Sequence, residues 1–306
     1  MIRIRGGTLL GATTIFSAFF PCVVIGAADR MPLQPEATER VGEFCHTGTV
    51  TMVCPNYSFA LESRNGHRRF IFAEEPFGVA PGDILAVEGI RLRHDNDAVH
   101  ERACNVRRLG HVAPPPPKVV PLAELIKRDY LYRKITTEGT LVQARRDEVD
   151  NRFRQLLVKD GATVFNAAAM ADASQMSYIS SLLGARLRMT GFPSQASGVR
   201  RNTYPYLAIN ATNGLDVVRP PPNDIFAAPE LDFDSRWTPD EIVGMDMRRF
   251  EGVVAATWGG DKMLVFGRDF HRVKATLSRP DELPAAGDSV AVVGFPDTDL
   301  YGINLI

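Results

Sequence analysis

The chain has 306 residues, 45% of them hydrophobic and 23% charged, which is long enough for two or three domains with sizeable cores. Its 35 basic and 36 acidic side chains leave a net charge of −1. This removes the broad basic field of a dedicated nucleic-acid binder, and on that ground nucleic acid is not expected as a partner.

Residues 1–28 differ from the rest. Arg3 and Arg5 form a short positive region, Leu9 through Ile25 are mostly apolar or small, and Gly26-Ala27-Ala28 offers small residues for cleavage before Asp29. This reads as a secretory signal, with an uncleaved anchor as the alternative, and it predicts a periplasmic or extracellular location. Pro21 before Cys22 argues against lipid attachment there. No later segment is long and apolar enough to span a bilayer, so residues from 29 onward are expected to be soluble. Three cysteines remain, Cys45, Cys54 and Cys104. If Phe44, Val50, Met52 and Cys54 share the inward face of one strand, Cys45 points outward. Cys54 is then the expected buried thiol, and Cys45 with Cys104 the candidate disulfide.

After a polar arm, residues 41–112 read as one unit. A long strand around Gly48-Thr49-Val50 is followed by strands near 57–62 and 69–73, with Asn65-Gly66 as a two-residue hairpin turn between them. A fourth strand follows Pro81-Gly82-Asp83 and closes at Gly89, and a fifth falls between His100 and Leu109. Five strands with a glycine near the middle of the first match the OB-fold barrel, the glycine serving a sharp bend. Residues 113–131 form a proline-rich joint leading to a short helix at 121–128.

Residues 132–218 repeat the order, with Gly139-Thr140-Leu141, a turn at Asp160-Gly161, and Gly191-Phe192-Pro193 after the fourth strand. The central-to-closing glycine spacing is 41 residues in the first unit and 52 in the second. The extra length carries Met176, Ile179, Leu182 and Leu183 at helical spacing, where an OB-fold often has a helix. A second proline-rich joint, residues 219–246, ends in Thr238-Pro239-Asp240-Glu241, a cap, a first-turn proline and an acid that start a helix. Residues 247–306 repeat the pattern from Gly252-Val253-Val254 to Gly294-Phe295-Pro296, with room for only part of a fifth strand. The fold class is mainly β: tandem five-stranded OB-like barrels, the third truncated, held in fixed relation by stiff joints.

Five of the six histidines, His46, His67, His94, His100 and His111, lie in the first unit. His94, Asp95, Asp97, His100 and Cys104 are possible metal donors, but their spacing matches no zinc pattern and a solvated loop is the simpler reading. His67 is expected on the surface. No nucleophile elbow, phosphate loop or metalloprotease motif occurs, and no catalytic residue, metal or cofactor is assigned. On the face where OB-folds bind oligonucleotides or sugars, Tyr57, Phe59, Arg68, Phe70, Arg152, Phe153 and Arg154 combine aromatics with cations, although Phe59 and Phe70 fit core positions. The stronger ligand-binding candidate is Arg200, Arg201, Tyr204 and Tyr206, in the loop between strands four and five of the second unit.

Three units with Gly-Thr-Val or Gly-Val-Val openings, Pro-Gly-Asp or Ala-Gly-Asp turns, Gly-Phe-Pro closings and proline-rich joints resemble the extracytoplasmic N-terminal region of some bacterial sensor histidine kinases. The first unit departs from the pattern with Gly89-Ile90-Arg91. The resemblance implies the input part of a two-component receptor, with an unknown small-molecule, oligosaccharide or protein ligand, and with a membrane segment and kinase core beyond residue 306. A homodimer is possible. The alternatives are a secreted scaffold or adhesion protein, or the accessory region of an exported nuclease or glycan enzyme.

Overall fold

The computed structural model describes residues 2–4, 39–54, 57–93, 99–146, 153–170, 173–195, 205–209, 214–267, 271–277, 283–300 and 302–306. After strand β1 (Ile2–Ile4), strands β2 (Glu39–Val53), β3 (Phe59–Glu62), β4 (Arg68–Phe72), β5 (Asp83–Arg93) and β6 (Val99–His111) close a barrel in the order β2-β3-β4-β6-β5. All its pairings are antiparallel except that of β4 with β6.

The second unit holds β7 (Lys118–Val119), 3-10 turns at Leu122–Ile126 and Arg128–Tyr130, β8 (Ile135–Arg146), β9 (Phe153–Asp160), β10 (Thr163–Met170), helix α1 (Ala173–Ser181), β11 (Arg186–Gln195), β12 (Pro205–Ile209) and β13 (Leu215–Arg219). Pairing of β11 with β8 closes its ring. Its fifth strand comes in two pieces, β12 and β13, both antiparallel to β11. Helix α1 occupies the place its apolar spacing predicts, with Ile179 and Leu182 buried.

The third unit holds α2 (Pro239–Gly244), β14 (Arg248–Trp258), β15 (Lys262–Phe266), β16 (Arg272–Thr276), β17 (Ser289–Gly294), β18 (Pro296–Asp299) and β19 (Gly302–Leu305). The capping box at α2 is formed: Glu241 N–H donates to Thr238 Oγ1 at 3.3 Å and Thr238 N–H to Glu241 Oε2 at 2.8 Å. Strand four is split into β17 and β18 around Phe295, which exchanges two backbone hydrogen bonds with Ile306 (2.9 and 3.0 Å). The fifth strand, β19, is only four residues long, against thirteen for β6. The architecture is thus a mainly β array of tandem OB-like barrels with few helices. None of the described helices is long and apolar enough to cross a membrane.

The three repeated stretches share one geometry. Gly82, Gly184 and Gly287 have φ of +92°, +85° and +96°, a left-handed conformation that glycine adopts without steric cost. Each donates its N–H at 2.8 Å to a first-strand carbonyl, that of Val50, Leu141 or Val254. Asp83 and Asp288 then fold a carboxylate back onto the N–H of Ala80 and Ala285, at 2.9 and 2.8 Å. The second unit has Ala185 in that place, so only the main-chain half of the device survives there.

The closing glycines are required by crowding. A Cβ at Gly89, Gly191 or Gly294 would lie 2.0, 2.4 or 2.8 Å from the carbonyl oxygen of Arg102, Ala208 or Ile306. The opening glycines are crowded too: a Cβ at Gly48 or Gly252 would meet the carbonyl of Glu62 or Phe266 at 2.7 or 2.2 Å, and one at Gly139 would meet Val158 Cγ1 at 3.0 Å. Close approach of strand two, rather than a bend at the glycine itself, is therefore their reason. The register shift comes three residues later in every unit, at Thr51, Val142 and Ala255.

Asn65-Gly66 also departs from expectation. Only Gly66 has positive φ (+82°), with Gly66 N–H donating to Ser63 O at 2.9 Å and Ser63 N–H to His67 O at 2.8 Å. The loop is longer than a two-residue turn because Asn65 Oδ1 accepts from the Ser63 hydroxyl (2.6 Å) instead of freeing Asn65 for the left-handed region.

Each unit has its own buried cluster, and a fourth, of Met52, Ala60 and Phe192 with Cys54, Phe70 and Tyr132 against it, lies between the first two barrels. Arg133 makes a two-pronged bridge to Glu62 (3.0 and 2.6 Å), and Arg68 donates to the carbonyls of Leu131 (2.5 Å) and Asp129 (2.7 Å). Between the second and third barrels, buried Lys159 donates to the carbonyls of Val243 and Met245. Val87 and Val292 point inward, at 0% and 2% exposure. Shortening Val87 to alanine is expected to cost about 1–4 kcal/mol in denaturant unfolding, and a negligible loss would contradict the packing.

Candidate functional site

The first half of β2 pairs with β5, whereas β3 joins β2 only from Thr49 onward. The turn Ser63–His67 stands beside that earlier stretch, and a cleft of about 240 Å³ opens between them, lined by Cys45, His46, Thr47, Ser63, His67 and Arg69 among others. His46 shares the barrel-facing register of β2 with Phe44 and Val50 and stacks on the Phe44 ring at 4.9 Å.

Two of the lining side chains, His46 and Arg69, converge on Glu101 of β6, whose side chain is 11% exposed and lies behind the lining. His46 Nε2 lies 3.0 Å from each of its oxygens, Arg91 Nε donates to Oε1 at 3.1 Å, and Arg69 Nη1 stands 3.6 Å away. Two guanidiniums and an imidazole thus share one carboxylate. Glu101 balances a single positive charge, so the group keeps an excess of positive charge and of hydrogen-bond donors. The Arg69 and Arg91 side chains are 49% and 39% exposed, leaving donors turned toward solvent. Such an arrangement can receive an oxyanion, with Glu101 holding the cations in place beforehand.

Of the residues proposed from sequence, Arg200, Arg201 and Tyr204 lie outside the described residues. Tyr206 pairs with Ser194 on β11, whose hydroxyl lies 3.7 Å from Met52 Sδ, and it is close enough to Tyr132 to raise the phenol pKa there, although burial is the larger cause. The loop's one described member therefore sits near the joint with the first barrel. Phe59 is core, and Phe70 packs on Tyr132 at 5.5 Å. With Arg68 bound to linker carbonyls, part of the expected oligonucleotide-type face is spent on docking the second barrel.

His94, Asp95 and Asp97 lie outside the described residues, and His100 stacks on Phe72 at 4.5 Å. Among the described residues no cluster of His, Cys, Asp or Glu suits a metal ion. His111 Nδ1 is 2.9 Å from Asp83, whose carboxyl is held below its ordinary range first by that hydrogen bond and also by Ala80 N–H and Arg108. His67 is exposed, as expected, and also lines the cleft.

Cys45 and Cys104 are both exposed free thiols. Strand β5 runs between them: Cys45 pairs with Glu88, and Glu88 with Asn105 on the other side. Two strand spacings of about 4.8 Å exceed the reach of a disulfide, so the candidate pairing is not made. Cys54 is partly buried, and burial pushes its thiol up to about 11. Brief alkylation near neutral pH is expected to modify Cys45 and Cys104 well before Cys54, as read by peptide mapping; equal rates would contradict that burial.

No family model matches the chain, and no curated protein does. Among solved structures, it is similar to an asparaginyl-tRNA synthetase of Entamoeba histolytica (12% identity, TM-score 0.28, 36% of this chain and 26% of that one). It is also similar to an Ifi202 HINa domain in complex with 20-bp double-stranded DNA (8% identity, TM-score 0.28, 60% of this chain and 100% of that one). A third is a murine DNA-binding protein bound to double-stranded DNA (9% identity, TM-score 0.29, 58% and 100%). The chain spans about a quarter of the length of the tRNA synthetases it matches. The exclusion of nucleic acid drawn from net charge does not stand. A charge of −1 over the whole chain averages away local excesses such as the one around Glu101, so net charge alone decides nothing about that partner. The OB-like assignment itself rests on this chain's own strand order, β2-β3-β4-β6-β5 and its repeats.

Proposed function

We propose that this chain is a non-catalytic binding array, the sensory part of an exported receptor, and that the cleft of the first barrel takes a small oxyanion such as a carboxylate or phosphate group. The observation that carries the reading is the set of cations gathered on Glu101 beside an open cleft, with donors to spare. The volume, about 240 Å³, suits a ligand smaller than a drug-sized molecule. The docked joints support a sensory role, because barrels held by specific hydrogen bonds have discrete arrangements that a ligand can favour. Membership of a two-component sensor kinase rests on the turn and strand pattern and on the leader-like residues 1–28.

Calorimetric titration with inorganic phosphate, sulfate and succinate tests the site. Arg69→Ala is expected to weaken binding of the preferred anion about tenfold or more, roughly 1.4 kcal/mol, while leaving the thermal midpoint nearly unchanged. No binding of any of the three, or equal binding by the variant, would overturn it. The receptor assignment is tested separately by reading the gene past codon 306 for a membrane helix and a kinase core.

A further inference from the structure

The hairpin of β3 and β4 belongs to two sites at once. Its odd-numbered residues Leu61, Ser63, Asn65, His67 and Arg69 line the cleft. Its even-numbered residues hold the second barrel: Ala60 packs with Phe192 and Phe70 with Tyr132, Glu62 takes the two-pronged bridge from Arg133, and Arg68 donates to the carbonyls of Leu131 and Asp129. The register keeps the two sets apart, since Leu61 pairs with Arg69 while Ala60 pairs with Phe70 and Glu62 with Arg68. Successive side chains on a strand point to opposite faces, so the cleft and the joint lie on the two sides of one ribbon. The far side of the joint is strained. Tyr132 has φ of +62°, a left-handed conformation that is costly outside glycine, and its N–H donates to Pro193 O at 2.7 Å. Loss of the docked contacts would release that strain, which gives the joint a second arrangement.

We propose that the β3–β4 hairpin couples the anion cleft to the joint: docking of the second barrel fixes the hairpin where it presents Arg69, and an oxyanion on Arg69 in turn favours the docked arrangement. This rests on the reading of the cleft as an oxyanion site. Arg69 stands 3.6 Å from Glu101, beyond a normal hydrogen bond, so the hairpin sets its position more than Glu101 does. A group positioned in advance binds its ligand more tightly than one left to move. The preference is reciprocal, because linkage gives the ligand the same factor on docking that docking has on the ligand.

Glu62→Gln in the full chain separates this coupling from plain electrostatics. Removing a carboxylate from the hairpin would by charge alone strengthen anion binding. Loss of the bridge to Arg133 is expected to weaken it instead, about fivefold, in calorimetric titration with whichever of phosphate, sulfate and succinate the wild-type chain binds. Arg133→Gln, which leaves every cleft residue in place, is expected to weaken it as well. Saturating the wild-type chain with the same anion is expected to slow hydrogen exchange at residues 131–133, whose N–H groups donate to the carbonyls of Arg128, Pro193 and Tyr130. Binding by Glu62→Gln as tight as wild type or tighter, or exchange at 131–133 that the anion leaves unchanged, would overturn the coupling while the cleft stands. No binding of the three anions by the wild-type chain would overturn both.

Discussion

Gly89→Ala is expected to destabilise the first barrel by about 2–4 kcal/mol, one of the largest single-residue effects in the chain. The new Cβ would stand 2.0 Å from the carbonyl oxygen of Arg102 and 2.6 Å from Phe44 Cζ. Phe44 can yield only by leaving a packed position, since it is 6% exposed and part of the barrel core. The carbonyl is main chain and cannot rotate away. It belongs to the β5–β6 ladder, beside the register shift between Glu88 and Gly89. Relief therefore requires the two strands to separate where the barrel closes. Gly42→Ala provides the control: it lies in the same barrel with nothing within 4 Å of an added Cβ, and is expected to be nearly neutral. Denaturant unfolding of both variants checks the argument. Equal midpoints would mean that closing glycines do not mark crowded strand contacts, and the repeat would lose its physical explanation.

The second large effect belongs to Lys159. Its side chain crosses from the second barrel to α2 and the residue after it, donating to the carbonyls of Val243 and Met245, and its Nζ stands 5.5 Å from the centre of the Phe295 ring. The residue is 4% exposed. Lys159→Ala leaves two carbonyls without their charged donor and is expected to cost about 2–4 kcal/mol. The cost should appear as lost coupling, with the third barrel unfolding separately from the second in calorimetry. A single unshifted transition in the variant would show that the joint does not depend on this lysine. The pH dependence has a definite sign. Burial lowers the ammonium pKa, against smaller opposing effects of Asp246 and Asp297. Between that lowered value and the ordinary 10.5 the unfolded chain binds more protons than the folded one, so stability rises with pH across this window. The alanine variant should lack that rise.

The parts of the fold written locally were legible. Turn, strand and closing glycine recur because each barrel needs a left-handed residue at Gly82, Gly184 or Gly287 and a side chain of no size where strands four and five touch. Thr238 and Glu241 likewise announce α2 within four residues. The cleft was not legible. His46 and Glu101 are 55 positions apart, and they meet because β2 and β6 flank β5 while β6 also turns beside β4. The alternation starting at Phe44 did place His46 on the inward face, which was the one available signal. Arg68 was ambiguous for a related reason. A cation beside an aromatic looks the same in sequence whether it awaits a ligand or holds a neighbouring barrel, and here the docking of Tyr132 and Leu131 decides it.

Beside the Arg133–Glu62 bridge of the first, both joints share one asymmetry. On one side stands a long cation, Arg68 or Lys159; on the other stand carbonyl oxygens of Asp129, Leu131, Val243 and Met245. A carbonyl is supplied by whatever residue occupies the position, so the accepting side is written in backbone path and not in residue identity. Over evolutionary time the two sides should age differently: positions that supply only a carbonyl, such as Asp129 and Val243, can change while the arginine and the lysine keep their charge and the buried joint residues Leu122, Leu125 and Ile242 stay apolar.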